Sequence, residues 1–134
     1  MGFKLSLSSR GRLADVHPDL TRVVERAIEI TDVDFRVAEG LRSLERQKLN
    51  VKNGVSKTLH SKHLRQPDGY AHAVDLYPLD ADGKLVLDWG SPWPGRPWAG
   101  VNWAMKTAAR ELDIAIVWVG DWPKFRDGPH YELA

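Results

Sequence analysis

The chain has 134 residues, no cysteine, and 19 basic against 18 acidic side chains, for a net charge of +1. That length is enough for one domain with a sizeable core, and the near-balanced charge leaves no broad cationic footprint for nucleic acid. Without thiols the chain can build neither disulfides nor thiolate metal centres, so any metal must be held by nitrogen and oxygen.

The opening Met1-Gly2-Phe3-Lys4-Leu5-Ser6 is too polar for a secretory signal, and no run of about 20 apolar residues occurs to cross a membrane. The expectation is synthesis in the cytoplasm without membrane insertion. Ser8 to Gly11 is polar and reads as loose chain. Leu13, Val16, Leu20, Val23, Val24, Ala27 and Ile28 then recur at helical spacing, and Pro18 followed by Asp19 suits a first turn, which predicts a helix from Pro18 to about Thr31. Asp34 to Glu39 sets Phe35 and Val37 against Arg36 and Glu39, as in a half-buried strand ended by Gly40. Ser43 is placed to cap a helix carrying Leu44, Gln47, Lys48 and Val51 towards Gly54. Arg42 falls where strand hands over to helix, a position that often faces a site.

Gly54 to Gly69 lacks apolar periodicity and reads as a long loop, which in a small domain is usually functional. His72 to Tyr77 reads as a strand closed by Pro78, with Asp75 on the face of Ala73 and Tyr77 and His72 on the other. Leu79 to Lys84 has turn chemistry, and Asp88 to Gly100, rich in Pro, Gly and Trp, reads as an irregular connection pinned by aromatic packing. Val101, Ala104, Met105, Ala108 and Leu112 mark another amphipathic helix. Ile114 to Val119 is the most apolar strand candidate and is expected at the sheet centre. Gly120 to Gly128 is a loop containing Trp122 and Phe125, and Pro129 to Leu133 resumes a strand pattern. These elements predict an α+β fold with a small antiparallel sheet and about three helices.

Two stretches carry the chemistry. Ser61-Lys62-His63 through Asp75 offers a histidine and a carboxylate, and Asp127-Gly128-Pro129-His130 offers a second histidine with a spare carboxylate three residues before it. Two imidazoles and one carboxylate leave a fourth position open on zinc, the donor set of a hydrolytic site, and a separate acid such as Asp127 is then needed to take the proton. His60 and His72 compete as donors; strand facing sets His72 apart from Asp75. Tyr70, Trp122 and Phe125 are candidates to line a groove, although aromatics beside Pro and Gly more often serve packing.

On these residues the chain resembles the peptidoglycan-cleaving zinc peptidases of the M15 group, and especially the single-domain phage endolysins that act as L-alanyl-D-glutamate endopeptidases. The likeness is carried by Glu39-Gly40-Leu41-Arg42-Ser43 with Gln47 downstream, by Ser61-Lys62-His63, by Ala73-Val74-Asp75 and by Asp127-Gly128-Pro129-His130. It departs from the family in the longer interval between His63 and Asp75, whose extra residues fall within Arg65 to Tyr70, and in Ala71 at the motif's glycine position.

The resemblance implies one catalytic zinc ion on His63, Asp75 and His130. It further implies Asp127 as general base, Arg42 as the cation that steadies the carbonyl oxygen or a substrate carboxylate, and Ser61 and Gln47 as supporting residues. It also implies a fold of the Hedgehog and DD-peptidase type, residues 1–134 as one zinc peptidase catalytic domain, and a monomer acting on bacterial peptidoglycan. Such an enzyme reaches the wall after the membrane is permeabilised. A D,D- or L,D-carboxypeptidase, or a non-catalytic zinc-binding wall module, would share the metal set.

Overall fold

The computed structural model describes residues 2–56, 58–124 and 126–134. The expected helices and strands form, joined by one helix that local sequence does not announce. In chain order they are α1 (Leu7–Leu13), α2 (Pro18–Ile30), β1 (Phe35–Glu39), α3 (Leu44–Lys52), β2 (Ala73–Pro78), α4 (Arg96–Leu112), β3 (Ile116–Trp118) and β4 (His130–Leu133), with a 3-10 turn at Val119–Asp121. The strands make one antiparallel sheet in the order β1-β2-β4-β3.

Cross-strand register sorts the side chains onto two faces. Val37 stands opposite Leu76, and Val74 opposite Tyr131. All four are buried and belong to the same core as Leu20, Val23, Val24 and Ala27 of α2 and Val101, Ala104, Met105 and Ala108 of α4. The opposite face carries Asp75, which pairs with Glu39 on one side and His130 on the other. Strict alternation would put Glu39 with Phe35 and Val37 on the core side. A bulge between Val37 and Glu39 inserts one residue and turns Glu39 onto the face of Asp75.

Three expectations need correction. Ser8 to Gly11 is not loose but lies within α1, capped by the Ser6 hydroxyl, which accepts from the Ser9 N–H at 3.1 Å. Buried Ser9 in turn accepts from the Val37 N–H at 3.0 Å, so α1 covers the otherwise open edge of β1. Ser and Gly are weak helix formers, and it is this docking that holds the helix. The Ile114 to Val119 run does not supply a central strand: β3 has 3 residues and lies at the sheet edge, while β2 and β4 occupy the centre. Its apolar side chains pack towards the core, whereas the central strands read as less apolar because one face of each holds the site. Finally α4 begins at Arg96, inside the stretch expected to be irregular, because Pro97 is tolerated in a first helical turn.

The aromatic expectation for that connection holds. Trp93 lies 5.2 Å from Trp89, 6.0 Å from Trp98 and 5.5 Å from Trp118 between ring centres. Their indole N–H groups donate to backbone carbonyls: Trp93 to Gly120 at 2.9 Å and Trp118 to Gly128 at 2.7 Å. The loop from β3 to β4 is thereby tied down at both ends.

Gly40, just past β1, lies tight against the end of α1. A Cβ there would stand 2.2 Å from the Arg12 carbonyl oxygen and 2.9 Å from Val16 Cγ2. We expect Gly40→Ala to destabilise the fold by about 1–3 kcal/mol through overpacking, measured as a lower urea midpoint with an unchanged slope. An unchanged midpoint would mean that α1 is not held where its Ser9 contact places it.

Candidate metal centre

His63 sits in the long loop before β2 and is 1% exposed. Its backbone is fixed from two sides: its N–H donates to the Ser61 hydroxyl at 3.1 Å, and its carbonyl accepts from the Arg42 N–H at 2.8 Å. Its Nδ1 lies 2.8 Å from the Gly40 carbonyl oxygen. Because a carbonyl only accepts, Nδ1 carries the proton, and the lone pair of the neutral ring falls on Nε2. Nε2 points at Asp75 Oδ1, 3.1 Å away. From β4, His130 brings Nδ1 to 3.3 Å from the same oxygen, and its Nε2 lies 2.8 Å from Glu132 Oε1. The two imidazole rings meet edge to face at 4.9 Å.

Ligand atoms of His63, Asp75 and His130 all lie within 4.8 Å of one another. Donors on a tetrahedral ion with bonds of about 2.0–2.1 Å stand roughly 3.3 Å apart, so the spacing around Asp75 Oδ1 fits zinc. The donor chemistry fits as well, since nitrogen and oxygen donors with one ring nitrogen anchored outside are what a catalytic site presents.

The electrostatics separate the carboxylates. Burial opposes the charge of Asp75, but the imidazoles of His130 and His63, which donate to it when protonated, outweigh that and hold its pKa below the usual carboxylate range. Asp127 goes the other way: burial, then the negative charge of Asp75, raises its pKa, opposed by His130, His63 and Arg42. Such divergence is what a site that needs both a standing charge and a proton carrier would require.

Arg42 lies beside this cluster, with Nη2 3.9 Å from Asp75 Oδ2. Glu39 accepts from Nε at 3.0 Å and also from Nη2, while Gln47 Oε1 accepts from Nη1 at 2.6 Å. Gln47 is fully buried, and its amide donates to Ser56 Oγ at 2.9 Å and to the Thr58 carbonyl. Burial opposes the guanidinium charge, but Glu39, Asp75 and Asp127 together raise the Arg42 pKa.

Other candidates lie elsewhere. Tyr70 is not a groove residue of this cluster. The turn through Gly69, at φ +90°, carries it back towards the start of α2, where it meets the His17 ring at 5.8 Å. Trp122 is 43% exposed on the loop that also carries Asp127, and Phe125 lies outside the described residues. His60 is exposed, and His72 Nε2 donates to Asp68 Oδ2, 2.7 Å away, on the side away from Asp75.

His17, Asp68 and His72 form a second group with metal-like spacing. There, however, His17 Nδ1 accepts from the Asp19 N–H at 3.0 Å as the cap of α2. The proton of the neutral ring then sits on Nε2, the atom facing Asp68, where a ligand would need a lone pair. This group is a latch between the loop and α2. Sequence reasoning also missed Glu39 and Glu132 as partners of Arg42 and His130; the signal for Glu132 is its place two residues along a strand from His130, which puts both on one face.

A family model described as phage L-alanyl-D-glutamate peptidase matches residues 1–134. The chain is similar to the L-alanyl-D-glutamate peptidase of Escherichia phage T5, at 32% identity over 126 residues, covering 91% of this chain and 83% of that one. Among solved structures it is similar to the L-Ala D-Glu endopeptidase ChiX of Serratia marcescens, with a TM-score of 0.83, 38% identity and coverage of 97% and 89%. The vancomycin-resistance D,D-dipeptidase VanXYg shares the fold at a TM-score of 0.50 and 16% identity, over 88% of this chain and 50% of that one.

Burial opposes protonation of His130, but hydrogen bonds to Asp75 and Glu132 push its pKa up to about 9. In chelator, this raised value contributes stability that is complete below the unfolded histidine pKa of about 6.5. It is lost as pH rises through about 9. Thermal melts across that window should show a larger fall for wild type than for His130→Gln, and parallel curves would refute the pairing.

Proposed function

The chain belongs to the phage L-alanyl-D-glutamate peptidase family, and on that premise we propose that it is a zinc-dependent peptidoglycan endopeptidase cutting the stem-peptide bond between L-Ala and D-Glu. The observation that carries this reading is the meeting of His63 Nε2 and His130 Nδ1 on Asp75 Oδ1, at 3.1 and 3.3 Å, beside a carboxyl whose pKa is raised. His63, Asp75 and His130 would hold the ion. Residues 1–134 act as one catalytic unit, a reading supported by a family match over the same span. Among the described residues no helix is long and apolar enough to cross a membrane, and the wall is reached once the host membrane has been breached.

Zinc, when bound, supplies Lewis acidity towards water and the scissile carbonyl. The remaining steps fall to side chains of this chain. Asp127 takes the proton of the attacking water and returns it to the departing amine nitrogen, a task that suits a carboxyl whose pKa burial and Asp75 raise. Among the described residues nothing hydrogen-bonds its carboxylate, which leaves both oxygens free for that exchange. Arg42, held by Glu39 and Gln47, keeps a fixed positive charge where the carbonyl oxygen becomes negative. Orientation by two partners spares the entropy of ordering a long side chain during the reaction.

Chelation should abolish release of peptides from purified walls, and added zinc should restore it. Asp127→Ala should keep stoichiometric zinc and lose activity by about 10²–10⁴-fold, and Arg42→Ala by about 10²–10³-fold, whereas His63→Ala and His130→Ala should lose both metal and activity. Mass spectrometry of digested muropeptides should show new D-Glu amino ends. Loss of terminal D-Ala instead would reassign the bond, and full lysis by Asp127→Ala would remove it as the base.

A further inference from the structure

We propose that Glu132 is a positioning residue for the metal centre: by accepting the Nε2–H of His130 it fixes the ring tautomer that turns the Nδ1 lone pair towards Asp75 and His63. The inference rests on the zinc reading and adds a residue outside the three donors. Glu132 Oε1 lies 2.8 Å from His130 Nε2, and His130 Nδ1 faces Asp75 Oδ1 at 3.3 Å. The two nitrogens of one ring therefore meet two different carboxylates. An ionised carboxylate only accepts, and a ring that ligates an ion through one nitrogen has a proton to give only from the other.

What decides between the two tautomers is position along the strand. Asp75 pairs with His130 and Ala73 with Glu132 across the β2–β4 ladder, so Glu132 shares the face of the site, one step along. From there its carboxylate reaches the far side of the His130 ring and not the side that faces Asp75. With Oε1 at 2.8 Å from Nε2 and no proton of its own to give once ionised, it is the acceptor that this arrangement requires. His63 uses the same device with a different partner, its Nδ1–H going to the Gly40 carbonyl. With both rings tied from outside, two lone pairs and one carboxylate oxygen are left pointing at a common centre. Partners of this kind on a ligating imidazole typically change metal affinity by about 10–100-fold.

The test is zinc affinity, read by competition with a chromophoric chelator, for wild type and Glu132→Ala, Glu132→Gln and Glu132→Asp. Circular dichroism in chelator reports whether each variant is folded. Glu132→Ala should bind zinc about 10–100-fold more weakly than wild type. Glu132→Gln keeps an oxygen that accepts the ring proton and should recover most of the loss. Glu132→Asp keeps the charge but withdraws the carboxylate by one carbon, and should bind weakly like the alanine variant. In zinc-loaded protein, the slowly exchanging His130 Nε2–H proton should be visible by NMR in wild type and in Glu132→Gln, and lost in the other two.

Should Glu132→Asp bind as tightly as wild type while Glu132→Gln falls to the alanine level, only charge matters and the positioning role is overturned. Equal affinity in wild type and Glu132→Ala, with stoichiometric zinc in both, overturns this inference and leaves the metal centre standing. A wild-type protein that takes up no zinc overturns both. If the alanine variant fails to fold, the ranking of glutamine above aspartate still decides.

Discussion

Oδ1 of Asp75 is the point on which the structure turns. Imidazole nitrogens from a loop and from a neighbouring strand approach this one oxygen at 3.1 and 3.3 Å, and in a neutral protein two lone pairs would face a carboxylate with nothing between them. Such an arrangement is stable only if a cation, whether a proton or a metal, occupies the centre. The raised pKa of His130 and the depressed pKa of Asp75 express the same fact in proton terms. The fold spends its rigidity on holding these groups together. Gly40 clasps His63 from the end of β1, the β2–β4 ladder sets His130 beside Asp75, and indole N–H groups pin the loop that carries Asp127.

Around that centre the polar groups divide by what burial does to them. Asp75 has partners for its charge and stays ionised, whereas Asp127 lies near the same charge without hydrogen-bonding partners among the described residues, and burial raises its pKa. One environment thus shifts two residues of the same type in opposite directions. Arg42 balances the pair, and its own geometry is set by Glu39, which reaches it only because a bulge turns that residue away from the core. A single inserted residue in β1 therefore links the edge of the sheet to the charge beside the site.

The contrast between the two histidine groups shows why proximity alone is a weak guide to metal binding. Both bring two imidazoles and one aspartate together. In one, an imidazole donates outward to a carbonyl and keeps its lone pair for the centre; in the other, His17 accepts a backbone N–H and turns its own proton inward. The loop between His63 and Asp75 supplies the second group, where Asp68 accepts from His72 beside β2 and faces His17, the cap of α2, at 3.8 Å. The length of this interval carries little entropic cost, since closure entropy grows slowly with loop length.

Local pattern alone determined a good deal. The periodic spacing of Leu20, Val23, Val24, Ala27 and Ile28 specified α2, Ser43 specified the start of α3, and the alternation around Asp75 separated it from His72, because each depends on neighbours a few residues away. The residue types and intervals at His63, Asp75, Asp127 and His130 were enough to nominate one chemistry. Tertiary structure decided what depends on distant partners. Polar α1 exists because Ser9 satisfies an edge strand, the apolar run at β3 ends at the sheet margin rather than its centre, and Tyr70 belongs to the His17 group. Which nitrogen of each imidazole faces the centre is set by Gly40 and Glu132. Burial periodicity is written along an element, but strand order, register and the direction of a ring proton arise only when separate elements come into contact.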